Sequence, residues 1–108
     1  MAATLLKTNS VTVAAQNDAA SVAGLPSPCF VAVQVTGTFS ATITFEASVD
    51  GTNYVAFNMT PSNSGTDAST TTAVGAWTKS TGAFSAFRAR CSTYSSGSPV
   101  VTIRYAAQ

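Results

Sequence analysis

Hydrophobic and polar side chains alternate along most of this chain with the two-residue period of a β-strand, and no stretch keeps a helical period. The alternation is clearest from Gly37 to Phe57. There Ala41, Ile43, Phe45, Ala47 and Val49 fall on one face and Thr42, Thr44, Glu46 and Ser48 on the other, while Val55, Phe57 and Met59 share the apolar face of a return arm. Asp50-Gly51 lies between the arms. Gly takes positive φ without steric cost and Asp tolerates it better than most residues, so the pair predicts a hairpin over roughly Ser40 to Met59 with a two-residue type I′ turn.

The flanking segments read as β as well. Upstream, Ser10 to Ala15 forms a short strand, and Gln16 to Pro28, rich in Asn, Asp, Gly and Pro, forms a connection. Cys29 to Thr36 is a strand with Cys29, Val31, Val33 and Val35 on one face. Downstream, Thr60 to Ser69 is a polar loop and a Thr-rich strand runs from Thr70 toward Lys79. Phe84 to Thr93 sets Ser85, Phe87, Ala89 and Cys91 against Ala86, Arg88, Arg90 and Ser92. Tyr94 to Pro99 turns around Gly97, and Val100 to Ala106 closes the chain with Val101, Ile103 and Tyr105 opposed to Thr102 and Arg104. About seven or eight strands at intervals of ~8 to 12 residues predict an all-β, two-sheet antiparallel sandwich, of jelly-roll or immunoglobulin-like connectivity. The 108 residues fit one domain, 1–108, with residues 1–10 as a candidate N-terminal arm.

Composition narrows the function classes. Apolar residues make up 45% and charged residues 8%, a balance opposite to that of disordered chains. A net charge of +1 leaves no basic footprint for nucleic acid or an acidic membrane surface. So weakly charged a surface is poorly protected against association, and copies of the chain or another protein are expected to cover part of it. Met1 to Lys7 lacks the basic start and apolar run of a secretory signal, and no stretch is apolar for ~18 residues, so the product is expected to stay in the cytoplasm where it is made.

Candidate chemistry is sparse. The chain has no His, which removes the commonest general base and the commonest metal ligand together. Its acidic residues are Asp18, Glu46, Asp50 and Asp67, and Glu46 and Asp50, four residues apart on a strand, are separated by ~13 Å, too far for a glycosidase pair. Glu46 is expected to pair with Arg88, Arg90 or Arg104 on a polar sheet face, and Asp50 to serve the turn. Two Cys without His or close spacing do not make a zinc site, and Cys29 and Cys91 on apolar faces read as free core thiols ahead of a disulfide. No catalytic, metal or cofactor-binding residue is assigned. Tyr54 and Trp77 are candidate exposed aromatics on which a sugar ring could stack, with Trp77 as a core plug the opposing reading. Leu5, Leu6 and Lys7 are a candidate partner-contact arm, by strand addition or groove filling, against a frayed terminus.

The central stretch also carries a resemblance. Gly37, Phe39, Ala41, Thr42, Thr44, Phe45, Glu46, Ser48, Asp50, Gly51 and Tyr54 resemble a run that recurs in small β-sandwich structural proteins of tailed bacteriophages, of the head decoration or cement type. The strand from Cys29 and the closing pieces Phe87 to Cys91, Ser96-Gly97 and Val100 to Arg104 follow the same layout, so the likeness covers the chain from about Pro28 onward. It implies a non-enzymatic virion protein on the outer capsid surface, made in the host cytoplasm, with the major capsid protein as partner and a homo-oligomer, favoured as a trimer, as its working state. Two alternatives stand beside it: a small tail, baseplate or head-fibre component, and a carbohydrate-binding β-sandwich module.

Overall fold

The computed structural model describes residues 6–26, 28–63 and 65–107, with side chains from Thr8 onward. Among these residues there are ten strands, more than the seven or eight expected because three are only two residues long: β1 Leu6–Thr12, β2 Ala19–Ala23, β3 Cys29–Thr36, β4 Phe39–Ser48, β5 Val55–Ala56, β6 Thr60–Pro61, β7 Thr70–Thr71, β8 Gly75–Ser80, β9 Ala86–Gly97 and β10 Val100–Ala107. They form two antiparallel sheets. The first has the order β1-β10-β3-β8-β6, and the second β2-β9-β4-β5, with β7 also on β4.

The pairing identifies the topology. β1 pairs with β10, β2 with β9, β3 with β8 and β4 with β5, so early strands meet late ones in mirror order, as in one long hairpin rolled up on itself. The β10–β3 and β4–β9 pairs then join these rungs into two sheets. That is jelly-roll connectivity, which decides between the two layouts left open by periodicity.

The core follows from alternation. Val31, Val33 and Val35 of β3, Ile43, Phe45 and Ala47 of β4, Phe87, Ala89 and Cys91 of β9, and Val101 and Ile103 of β10 are buried between the sheets. Trp77 of β8 joins them, its ring centroid 5.2 Å from that of Phe45. The register of β4 against β9 shifts between Ser40 and Ala41 and between Thr42 and Ile43. Each shift is a bulge that adds a residue on β9 and increases local twist, which lets this long strand coil around the core.

Several local readings are corrected, among them the loop expected over Tyr94 to Pro99, most of which is the end of β9. The first strand occupies Leu6–Thr12, earlier than Ser10 to Ala15, and the stretch read as a connection contains β2, whose Ala20 and Val22 are buried. Asp50-Gly51 is not a two-residue turn. Gly51 has φ +79° but Asp50 is not among the positive-φ residues, as a type I′ turn requires, and pairing resumes only at Val55. Val49 and Val55 are accordingly exposed, at 69% and 59%, and do not extend the apolar face. The Thr-rich run splits into β7 on the second sheet and β8 on the first. Between them Thr71 Oγ1 both accepts from the Ala73 N–H and donates to the Ala73 carbonyl, a local turn that redirects the chain.

Candidate interaction surface

Because Phe87, Ala89 and Cys91 take the inward positions of β9, Arg88 and Arg90 stand on the outer face of the second sheet. Register places Ser21, Arg88, Glu46 and Ala56 in one row across β2, β9, β4 and β5. Arg88 Nε donates to Glu46 Oε1 at 2.6 Å. Arg90 Nε donates to the same oxygen at 3.2 Å, and Arg90 Nη2 donates to Oε2 at 3.2 Å. Arg90 Nη1 donates to Asn17 Oδ1 at 2.9 Å. The Arg88 guanidinium lies 4.0 Å over the Tyr54 ring centroid, a cation–π contact.

One carboxylate therefore sits between two guanidinium groups, and the cluster carries one excess positive charge. Burial alone pushes the Glu46 carboxyl up, but hydrogen bonds from Arg90 and Arg88 and their charges outweigh it and hold the group below its ordinary range. The Glu46 hydrogen bond in turn raises Arg90, against burial. Of the three partners foreseen for Glu46, Arg88 and Arg90 engage it; Arg104 lies on the other sheet. Since Glu46 is only 8% exposed, this is not the solvent-exposed pair expected of a polar face.

The loop that delivers Tyr54 is built on Asp50. Its Oδ1 accepts from Ser48 Oγ at 2.9 Å and from the backbone N–H groups of Thr52 and Asn53 at 2.8 Å each, and its Oδ2 accepts from Asn53 Nδ2 at 2.8 Å. Ser48 Oγ accepts the Gly51 N–H at 2.9 Å. These donors, the Asn53 N–H foremost, hold the Asp50 carboxyl far below the usual range. The Ser-x-Asp-Gly spacing is thus explained as a loop brace, with the carboxylate spent on the backbone.

The outer face of the first sheet differs. A shallow depression of about 380 Å³ lies over Thr8, Ala32, Gln34, Ala76, Thr102 and Arg104. Phe30, 41% exposed, stands at one corner beside Arg104 and Ala106.

Of the residues singled out in the sequence, Tyr54 is half-buried with its ring against Arg88. Trp77 does not join it at the surface: at 7% exposure it is a core residue, because its position on β8 has inward parity and its ring packs on Phe45. Leu5 lies outside the described residues, and the backbone of Leu6 and Lys7 pairs with Ala106 and Tyr105 in β1. Cys29 and Cys91 are free and buried, and burial raises both thiols. Among the described residues no three metal-ligating groups cluster. The reach from Arg90 to Asn17, and the seat of Arg88 on Tyr54, join residues far apart in sequence; the only local signal is Asn17 itself, which adopts φ 75° in a turn that Asp18 braces by accepting the Ala14 and Ala15 N–H groups.

No protein-family model and no curated protein matches the chain. Solved structures do share its fold. The crystal structure of the SPBc2 prophage-derived protein YomS matches with a TM-score of 0.77 at 15% identity, covering 99% of each chain. The crystal structure of the PBSX exported protein XepA matches with a TM-score of 0.74 at 18% identity, covering 94% of this chain and 38% of that one. At such identities the likeness is one of fold, and it lies with phage-derived proteins, where the central stretch had pointed.

Proposed function

We propose that the chain is a non-enzymatic structural protein of a phage particle, and within that class a decoration or cement protein on the outer surface of the head. The observation that carries the reading is the end-to-end likeness of this jelly roll to a prophage-derived protein, joined to the phage-type run from Gly37 to Tyr54. The chemistry agrees with it. With no His in the sequence, and with Glu46 and Asp50 held as counter-ion and loop brace, these two carboxylates serve the structure of the outer face.

The mechanism is thermodynamic. A rigid sandwich bound across contacts between major capsid protein subunits adds binding free energy to the assembled shell alone and so stabilises it by linkage. Copies assemble as closed symmetric oligomers, with a trimer favoured, and the segment containing Leu5, Leu6 and Lys7 contacts a neighbouring copy. A role in a tail, baseplate or head fibre would use the same fold with a different surface. The sugar-binding reading has lost its main support, since Trp77 is in the core and one face of Tyr54 is covered by Arg88.

The test is to add the purified protein to particles that lack it and to follow the temperature at which heads release DNA. Binding with a raised release temperature is the expected result. Binding that leaves the temperature unchanged would remove the cement role, and failure to bind heads would remove the decoration reading altogether.

A further inference from the structure

The Glu46 cluster is only partly satisfied. Arg90 uses Nε and both terminal nitrogens, on Glu46 and Asn17. Arg88 uses Nε alone, and among the described residues its two terminal nitrogens have no hydrogen-bond partner. The guanidinium is nevertheless fixed, by the 2.6 Å bond through Nε and by the Tyr54 ring, over whose centroid its Cζ lies at 4.0 Å. Its side chain is 31% exposed. An Arg held through Nε and against an aromatic ring, with its terminal nitrogens free, is pre-organised for a bidentate carboxylate, and less side-chain entropy is lost when that bond forms. Its row neighbours Ser21 and Ala56 are small, so a partner surface has room to approach. Ala56 is exposed, so the row is open at its β5 end.

The source of that carboxylate follows from the charges. The chain has four acidic side chains, and each is committed within its own fold: Asp18 to the Ala14 and Ala15 N–H groups, Glu46 to Arg88 and Arg90, Asp50 to its loop, and Asp67 to Lys79 at 3.0 Å. A second copy could offer a carboxylate only in competition with one of these contacts. A polyanion such as nucleic acid is recognised by many cations at once, whereas this face has one free fork and one excess charge. We propose that the Arg88 face of the second sheet is the surface by which this protein docks on a different protein, which presents a single Asp or Glu to the Arg88 fork. Arg and Tyr at the centre of such a contact are the residue types that carry most binding energy at protein interfaces. The inference rests on the virion reading and deepens it, with a capsid protein acidic side chain as the occupant.

The test uses particles lacking the protein and co-sedimentation of three variants beside the natural chain. Arg88→Lys keeps a cation for Glu46 but loses the planar fork, and Ala56→Asp places a carboxylate of its own in the exposed end of the Arg88 row, where it repels or displaces the incoming one without touching the core. Each is expected to weaken binding about tenfold or more while the melting temperature of Ala56→Asp stays close to that of the natural chain. Arg104→Gln, on the opposite sheet, should bind as the natural chain does. With Arg88→Lys on particles, a water-soluble carbodiimide should join the amine introduced by that substitution, through an amide bond, to an Asp or Glu of another protein, located by mass spectrometry. Full binding by Ala56→Asp and Arg88→Lys, loss of binding by Arg104→Gln, or a crosslink only to Glu46 or to another copy would overturn the proposal. Failure of the natural chain itself to bind would instead overturn the virion reading beneath it.

Discussion

Glu46 shows how one residue can be legible by type and not by consequence. Its place opposite Arg88 and Arg90 followed from alternation, because the three share the outward parity of β4 and β9. Its burial did not follow, because it goes with two arginine side chains that converge on it and are themselves seated on Tyr54 and Asn17, residues far from them in sequence. Removing the carboxylate leaves two guanidinium groups facing each other, so Glu46→Gln should cost about 2 to 3 kcal/mol, below the full cost of breaking a buried pair because both arginines keep some water. Denaturant unfolding measures it. Glu46, Asp50 and Asp67 all titrate below their ordinary values of 4.5 and 3.8. Below those values the unfolded chain binds more protons than the folded one, so stability is complete above them and falls as pH drops through the depressed folded values. Thermal unfolding should therefore be nearly flat from about pH 5 to 8 and decline below about pH 4, with a shallower decline in Glu46→Gln. A melting temperature that rose on acidification would contradict the assignment.

At the scale of elements, strands with clean two-residue alternation were readable and the turns between them were not. β3 has the bounds expected of it, since its four inward residues are unbroken by any turn former. β2 was missed because a five-residue strand with one β-branched side chain lies among turn-forming neighbours. The Asp-Gly pair misled because the Asp50 carboxylate organises a wider loop than the dipeptide alone specifies. Topology was beyond reach of periodicity, since each jelly-roll rung joins residues far apart in sequence. One closing turn depends on a residue without a side chain. Gly97 has φ +94°, and a Cβ there would run into the Thr38 carbonyl and the Phe39 backbone. Gly24, at φ +63°, has open space around it. Gly24→Ala should thus cost about 1 to 2 kcal/mol, the backbone strain alone, and Gly97→Ala clearly more, about 3 kcal/mol or above. Equal losses in the two variants would show that the β9–β10 turn is not the constraint described.

For the whole molecule, the two outer faces are unlike: one carries a shallow depression edged by Gln34 and Arg104, the other an arginine fork held beside Tyr54. A sugar-binding module would need a free aromatic ring, so Trp77 fluorescence should stay unchanged across a panel of oligosaccharides; quenching or a spectral shift would revive that reading. The central claim, that this jelly roll is a structural part of a phage head, is tested most directly by its copy number in purified particles. Quantitative mass spectrometry with the major capsid protein as internal standard should find it at a number comparable to that protein. A handful of copies would move it to a tail or a unique vertex, and absence from particles would contradict the account.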